Sequence, residues 1–108
     1  MLSFSVTRYG KELDKKFYSW DEETRTFFTN ENGLVLDFSN INDCTFKTGD
    51  NCTFKTGSYC TFDTLYNCTF KTGSNCTFKT GSNCTFKTGS YCTFDTFYNC
   101  TFDTGSNC

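Results

Sequence analysis

The chain has 108 residues and a net charge of −2, enough for one small domain and without the basic footprint of a nucleic-acid binder. Histidine and proline are both absent, which removes the commonest general base and metal ligand. No apolar run approaches membrane-spanning length, and the opening Met1-Leu2-Ser3-Phe4-Ser5-Val6-Thr7-Arg8 lacks the basic start and apolar core of a secretion signal, so a cytoplasmic protein with no membrane partner is expected.

Charge divides the chain. Residues 1–43 hold five Lys/Arg against eight Asp/Glu, net −3, and residues 44–108 hold five Lys against four Asp, net +1. Residues 1–35 carry no repeat and read as an N-terminal cap of short strands. Leu2-Ser3-Phe4-Ser5-Val6-Thr7 alternates. Residues 17–20 and 25–29 flank the polar Asp21-Glu22-Glu23-Thr24 and predict a hairpin. Asn30-Glu31-Asn32-Gly33 predicts a further turn. Phe17, Trp20, Phe27 and Phe28 are the side chains expected to cover the open end of the repeat region, because an uncovered coil is an exposed sheet edge.

A concealed repeat unit occupies residues 36–43, with Leu36 in the place later held by Cys and Phe38 in the Phe place. From there nine cysteines stand eight residues apart: Cys44, Cys52, Cys60, Cys68, Cys76, Cys84, Cys92, Cys100 and Cys108. Each opens the unit Cys-Thr-Phe-(Lys/Asp)-Thr-(Gly/Leu/Phe)-(Ser/Asp/Tyr)-(Asn/Tyr/Asp). Eight of the fourteen phenylalanines occupy its third position. Cys and Phe point one way and Thr and Lys/Asp the other, which is a strand. The remaining four residues are a corner, where Gly tolerates positive φ and Asn or Asp bonds its own backbone.

One unit cannot bury its Phe alone, so units must coil and stack. The variants opened by Cys60 and Cys92 lie 32 residues apart, which suits two or four units per coil and not three. Two units give an alternating column Lys47, Asp63, Lys79, Asp95 on one face, and Lys55, Lys71, Lys87, Asp103 on the other. Opposite charges on adjacent strands attract. The expectation is an all-β protein: residues 36–108 form a two-sided β-solenoid of about four coils, two units to a coil, behind the cap at 1–35. An antiparallel β-meander is the alternative, ranked lower because it leaves one Phe face bare.

The stretches Thr7-Arg8-Tyr9-Gly10-Lys11-Glu12-Leu13, residues 18–27 and Leu34-Val35-Leu36-Asp37-Phe38, followed by Cys-Thr-Phe-x-Thr-Gly units, resemble a family of uncharacterised octad-repeat proteins of bacteria and bacteriophages. The resemblance covers essentially the whole chain. It implies a β-solenoid and a phage association, and it brings no reaction, cofactor or catalytic residue. Family members carry more repeats and then a closing segment. This chain stops on the first residue of a new unit, so the resemblance implies truncation or engineering at that end.

The cysteines read first as small apolar packing residues. Their odd number and the missing secretion signal argue against disulfides, and spacing of eight is wrong for structural zinc. A thiol column remains a candidate for a soft ion such as Cu(I). Asn-Cys-Thr at Asn51, Asn67, Asn75, Asn83 and Asn99 matches the glycosylation pattern as a by-product of the repeat. Thr45, Thr53, Thr61 and their equivalents form outward columns that raise ice binding, but the neighbouring Lys and Asp spoil such a face.

The clearest functional signal is aromatic. Leu65-Tyr66 and Phe97-Tyr98 replace Gly-Ser at one corner of the coil, and Tyr59 and Tyr91 lie at the opposite one. Corners point outward, and clustered exposed aromatics mark interaction surfaces. The alternative is that they fold back and fill the corner. The sequence therefore predicts a non-enzymatic structural or interaction solenoid. It would form a homodimer through one of these edges, or assemble end to end through its last coil. Binding of a soft metal or of ice is the alternative function.

Overall fold

The computed structural model describes residues 4–39 and 41–107. Leu2 of the first predicted strand, Asn40 of the concealed unit and Cys108 lie outside the described residues. The cap holds β1 (Ser5–Arg8), β2 (Lys11–Glu12), one 3₁₀ turn at Lys15–Phe17, β3 (Ser19–Asp21) and β4 (Thr26–Phe28). Next come β5 (Val35–Phe38), β6 (Thr45–Lys47), β7 (Thr53–Thr56), β8 (Thr61–Asp63), β9 (Thr69–Lys71), β10 (Thr77–Lys79), β11 (Thr85–Lys87), β12 (Thr93–Asp95) and β13 (Thr101–Asp103). Among the described residues there is no α-helix, and none is long and apolar enough to cross a membrane.

Each repeat unit contributes one strand, and every second strand pairs in parallel. Thr45 lies against Thr61, Phe46 against Phe62 and Lys47 against Asp63. Equivalent residues are 16 apart, so two units make one coil. One sheet runs β12-β10-β8-β6-β4-β3 and the other β13-β11-β9-β7-β5-β1-β2. The protein is an all-β, two-sided solenoid, and the parallel pairing rules out the meander. It has about five coils, because β4 and β5 already form a coil before the first Cys unit.

The core is a phenylalanine zipper. Successive Phe rings within a sheet stack, as Phe62 on Phe78 at 4.8 Å between centroids and 3° between planes. Rings from facing sheets meet edge to face, as Phe62 with Phe70 at 5.1 Å and 72°. Both geometries suit the ring quadrupole. Cys44 to Cys92 are buried beside this zipper.

Two details differ from the sequence expectation. In the first coil the register is shifted by two residues: Leu36 pairs with Phe54 and Phe38 with Thr56. The Cys place belongs to Leu34, whose carbonyl accepts from Thr53 N at 2.8 Å as Cys52 O does from Thr69 N. A strand's alternation looks the same after a slip of two, so alternation alone could not fix this register. Packing fixes it, for Phe38 is fully buried and stacks on Phe4 at 4.2 Å. The second difference concerns the corner. The left-handed residue is the one before each Cys, from Asp43 (φ 62°) and Asn51 (φ 57°) onward, and only Gly10 and Gly33 among the glycines have positive φ. The repeat glycine is there for space: at Gly81 a Cβ would lie 2.5 Å from Tyr66 Cδ1.

The cap closes both sheets with antiparallel strands. β1 pairs with β5 through Val6 and Leu36, and β3 pairs with β4 through Trp20 and Phe27. The predicted hairpin at 17–29 is present, its turn held by Asp21 Oδ1, which accepts from Glu23 N at 2.9 Å. The cover differs in part from the expected set. Phe27 is buried and Trp20 packs on the core, but Phe17 and Phe28 are exposed. Phe28 pairs with Lys47 and so faces outward. Phe4, Leu13 and Tyr18 complete the cover instead.

Candidate interaction edge

The coil has two edges. The first is formed by the turns after β6, β8, β10 and β12, which cross from the six-stranded to the seven-stranded sheet. The second is formed by the turns after β7, β9 and β11, which cross back. Leu65, Tyr66, Phe97 and Tyr98 share the first edge, two coils apart. Tyr59 and Tyr91 share the second.

Backbone bonds hold the first edge. Leu65 O accepts from Gly81 N at 3.0 Å, and Tyr66 O from Asn67's counterpart in the previous coil, Asn51 N, at 2.9 Å. Tyr66 N donates to Asp50 Oδ1 at 3.1 Å and Tyr98 N to Ser82 Oγ at 3.2 Å. The side chains nevertheless stand out from the coil. Leu65 is 50% exposed, Tyr66 45%, Phe97 62% and Tyr98 78%. Tyr59 and Tyr91 are exposed to a similar degree. The Tyr66 ring leans over Gly81 of the next coil, while Phe97 and Tyr98 stand furthest into solvent. Between Leu65 and Phe97 lies a notch of about 220 Å³ floored by Gly81 and flanked by Asp63, Lys79 and Asp95.

Charge on the adjoining sheet face alternates as the sequence predicts, with Lys47 beside Asp63, Asp63 beside Lys79 and Lys79 beside Asp95. The other face is different. Asp37 lies beside Lys55, then Lys71 and Lys87 come before Asp103.

The thiols form two inner columns, and each turns toward corner carbonyls. Cys68 Sγ donates to Gly49 O and to Tyr66 O, both at 3.6 Å, and Cys84 Sγ to Leu65 O at 3.5 Å. Burial pushes the Cys52 thiol up from its ordinary value. At the start of one column, a hydrogen bond from Cys60 and the Arg25 guanidinium, whose Nη2 is 3.9 Å away, draw Cys44 down to about 7. Among the described residues no three His, Cys, Asp or Glu side chains converge on a common point. The fifth-position threonines Thr48, Thr56, Thr64 and Thr80 are buried too. Carrying the Cys-in, Phe-in alternation two residues further would have found them.

Comparison with protein-family models, with curated proteins and with solved structures finds no match in any of the three.

Proposed function

We propose that the chain is a non-catalytic structural or interaction solenoid that associates with copies of itself through the edge carrying Leu65, Tyr66, Phe97 and Tyr98. The observation that supports this reading most is the exposure of four large apolar side chains in one column, at positions where neighbouring coils carry Gly with Asp or Ser. Exposed apolar groups gathered in one place favour contact with another surface. The edge offers a ridge to a protein surface and involves neither nucleic acid nor membrane.

A second reading rests on the last coil. Phe102 is 46% exposed there, and among the described residues β12 and β13 each have a strand neighbour on one side only. Such an edge accepts a strand from another chain.

The test is the mass in solution by light scattering, under reducing conditions, over a concentration series. The edge predicts a defined dimer. Growth into longer polymers favours the last coil, and a monomer at every concentration overturns both.

A further inference from the structure

Resting on that reading, we infer that the partner is a second copy of this chain, docked antiparallel about a two-fold axis normal to the sheets, with β8 opposite the partner's β10 and β12 opposite the partner's β6. Bulk and charge alternate together along the first edge. Leu65 travels with Asp63 and Phe97 with Asp95, whereas Gly49 travels with Lys47 and Gly81 with Lys79. On the adjoining sheet face the ridges are therefore acidic and the grooves basic, repeating every second coil, with Asp50 in the groove at Gly49 held by Tyr66 N at 3.1 Å.

An axis normal to the sheets keeps both six-stranded sheets on one side and reverses the coil order. In this register Leu65 enters the partner's notch at Gly81, and Phe97 meets the partner's Gly49. Asp63 then faces the partner's Lys79, and Asp95 faces the partner's Lys47. Each contact occurs twice, as a two-fold interface requires. A shift by one coil sets ridge on ridge and like charge on like charge, which repels. The notch of about 220 Å³ has room for a single large side chain, and it lies between Leu65, Phe97 and the Tyr66 ring, for which Gly81 leaves clearance. The second edge lacks this match, because Lys55, Lys71 and Lys87 on its sheet do not alternate. Four facing coils at ~4.8 Å each make a contact about 20 Å long, at the small end of protein–protein interfaces.

The test is zero-length carbodiimide cross-linking of an equal mixture of ¹⁵N-labelled and unlabelled chains, read by mass spectrometry. Lys47 and Asp95 lie three strands apart within one chain, about 14 Å, which a zero-length link does not span. A mixed-isotope Lys47–Asp95 link is the expected result. Lys47→Glu should weaken the dimer about fivefold or more, and adding Asp95→Lys should restore it, although both changes set like charges side by side within each chain. A dimer whose mixed-isotope links avoid Lys47–Asp95, or that the double variant does not restore, overturns the register and leaves self-association standing. A monomer at all concentrations overturns self-association itself.

Discussion

The two edges of the coil are built on the same backbone and finished differently. On the second edge a serine ladder runs without interruption: Ser58 Oγ accepts from Ser74 N, Ser74 Oγ from Ser90 N and Ser90 Oγ from Ser106 N, each at 3.0 Å. On the first edge Tyr66 and Tyr98 stand where that ladder needs a hydroxyl near the backbone, and their own hydroxyls lie at the far end of a ring. Leu65 and Phe97 stand where the repeat otherwise uses Gly. The first edge keeps the rungs from Tyr66 N to Asp50 Oδ1 and from Tyr98 N to Ser82 Oγ, but Tyr66 offers no hydroxyl for the rung between them. The exposed apolar side chains of that edge are the observation on which the proposed self-association rests.

Four substitutions or conditions sharpen that contrast. The zipper beneath both edges carries the fold, so Phe70→Ala should cost about 3–5 kcal/mol in urea unfolding, far more than any change at either edge. Alkali should act next. Cys52, Cys60, Cys68 and Cys76 all have raised folded pKa values, Cys60, Cys68 and Cys76 through hydrogen bonds they donate to neighbouring thiols and then through burial, Cys52 through burial. Above pH 9 the unfolded chain loses those protons while the folded one keeps them, so the stability they provide is present below pH 9 and is lost as pH rises. The slope is at most about 1.4 kcal/mol per pH unit for each thiol, measurable as a fall in Tm from pH 9 to 10.5. Ser74→Ala removes one bond of the intact ladder and should cost about 1 kcal/mol. Smallest, and opposite in sign, are Tyr59→Asn and Tyr91→Asn. Both tyrosines sit at φ 62°, where six of the repeat units place Asn. Each change should stabilise by roughly 0.5–1 kcal/mol in urea unfolding, because Asn tolerates the left-handed region better than an aromatic residue does.

Most of the fold was legible because the repeat repeats. Spacing gave the coil, the Lys47/Asp63 column gave two units per turn, and Phe at the third position gave the core. The first coil was harder to read. Its strand alternates like the others, but the two extra residues before Cys44 are visible only once Leu34 and Phe38 have been placed by packing. The corner was misread at glycine because Gly is the usual left-handed residue; here Asn takes that conformation and Gly provides clearance. At the candidate site, position and exposure of Leu65, Tyr66, Phe97 and Tyr98 followed from the sequence. The notch over Gly81 did not, since it depends on how the Tyr66 ring lies against the neighbouring coil.

The most direct test is to replace Leu65, Tyr66, Phe97 and Tyr98 by the Gly and Ser of the consensus unit and to measure mass against concentration beside the wild type. A folded monomer, with unfolding in urea no easier than the parent's at monomer concentrations, is the predicted result. A variant that still dimerises with undiminished affinity would contradict it.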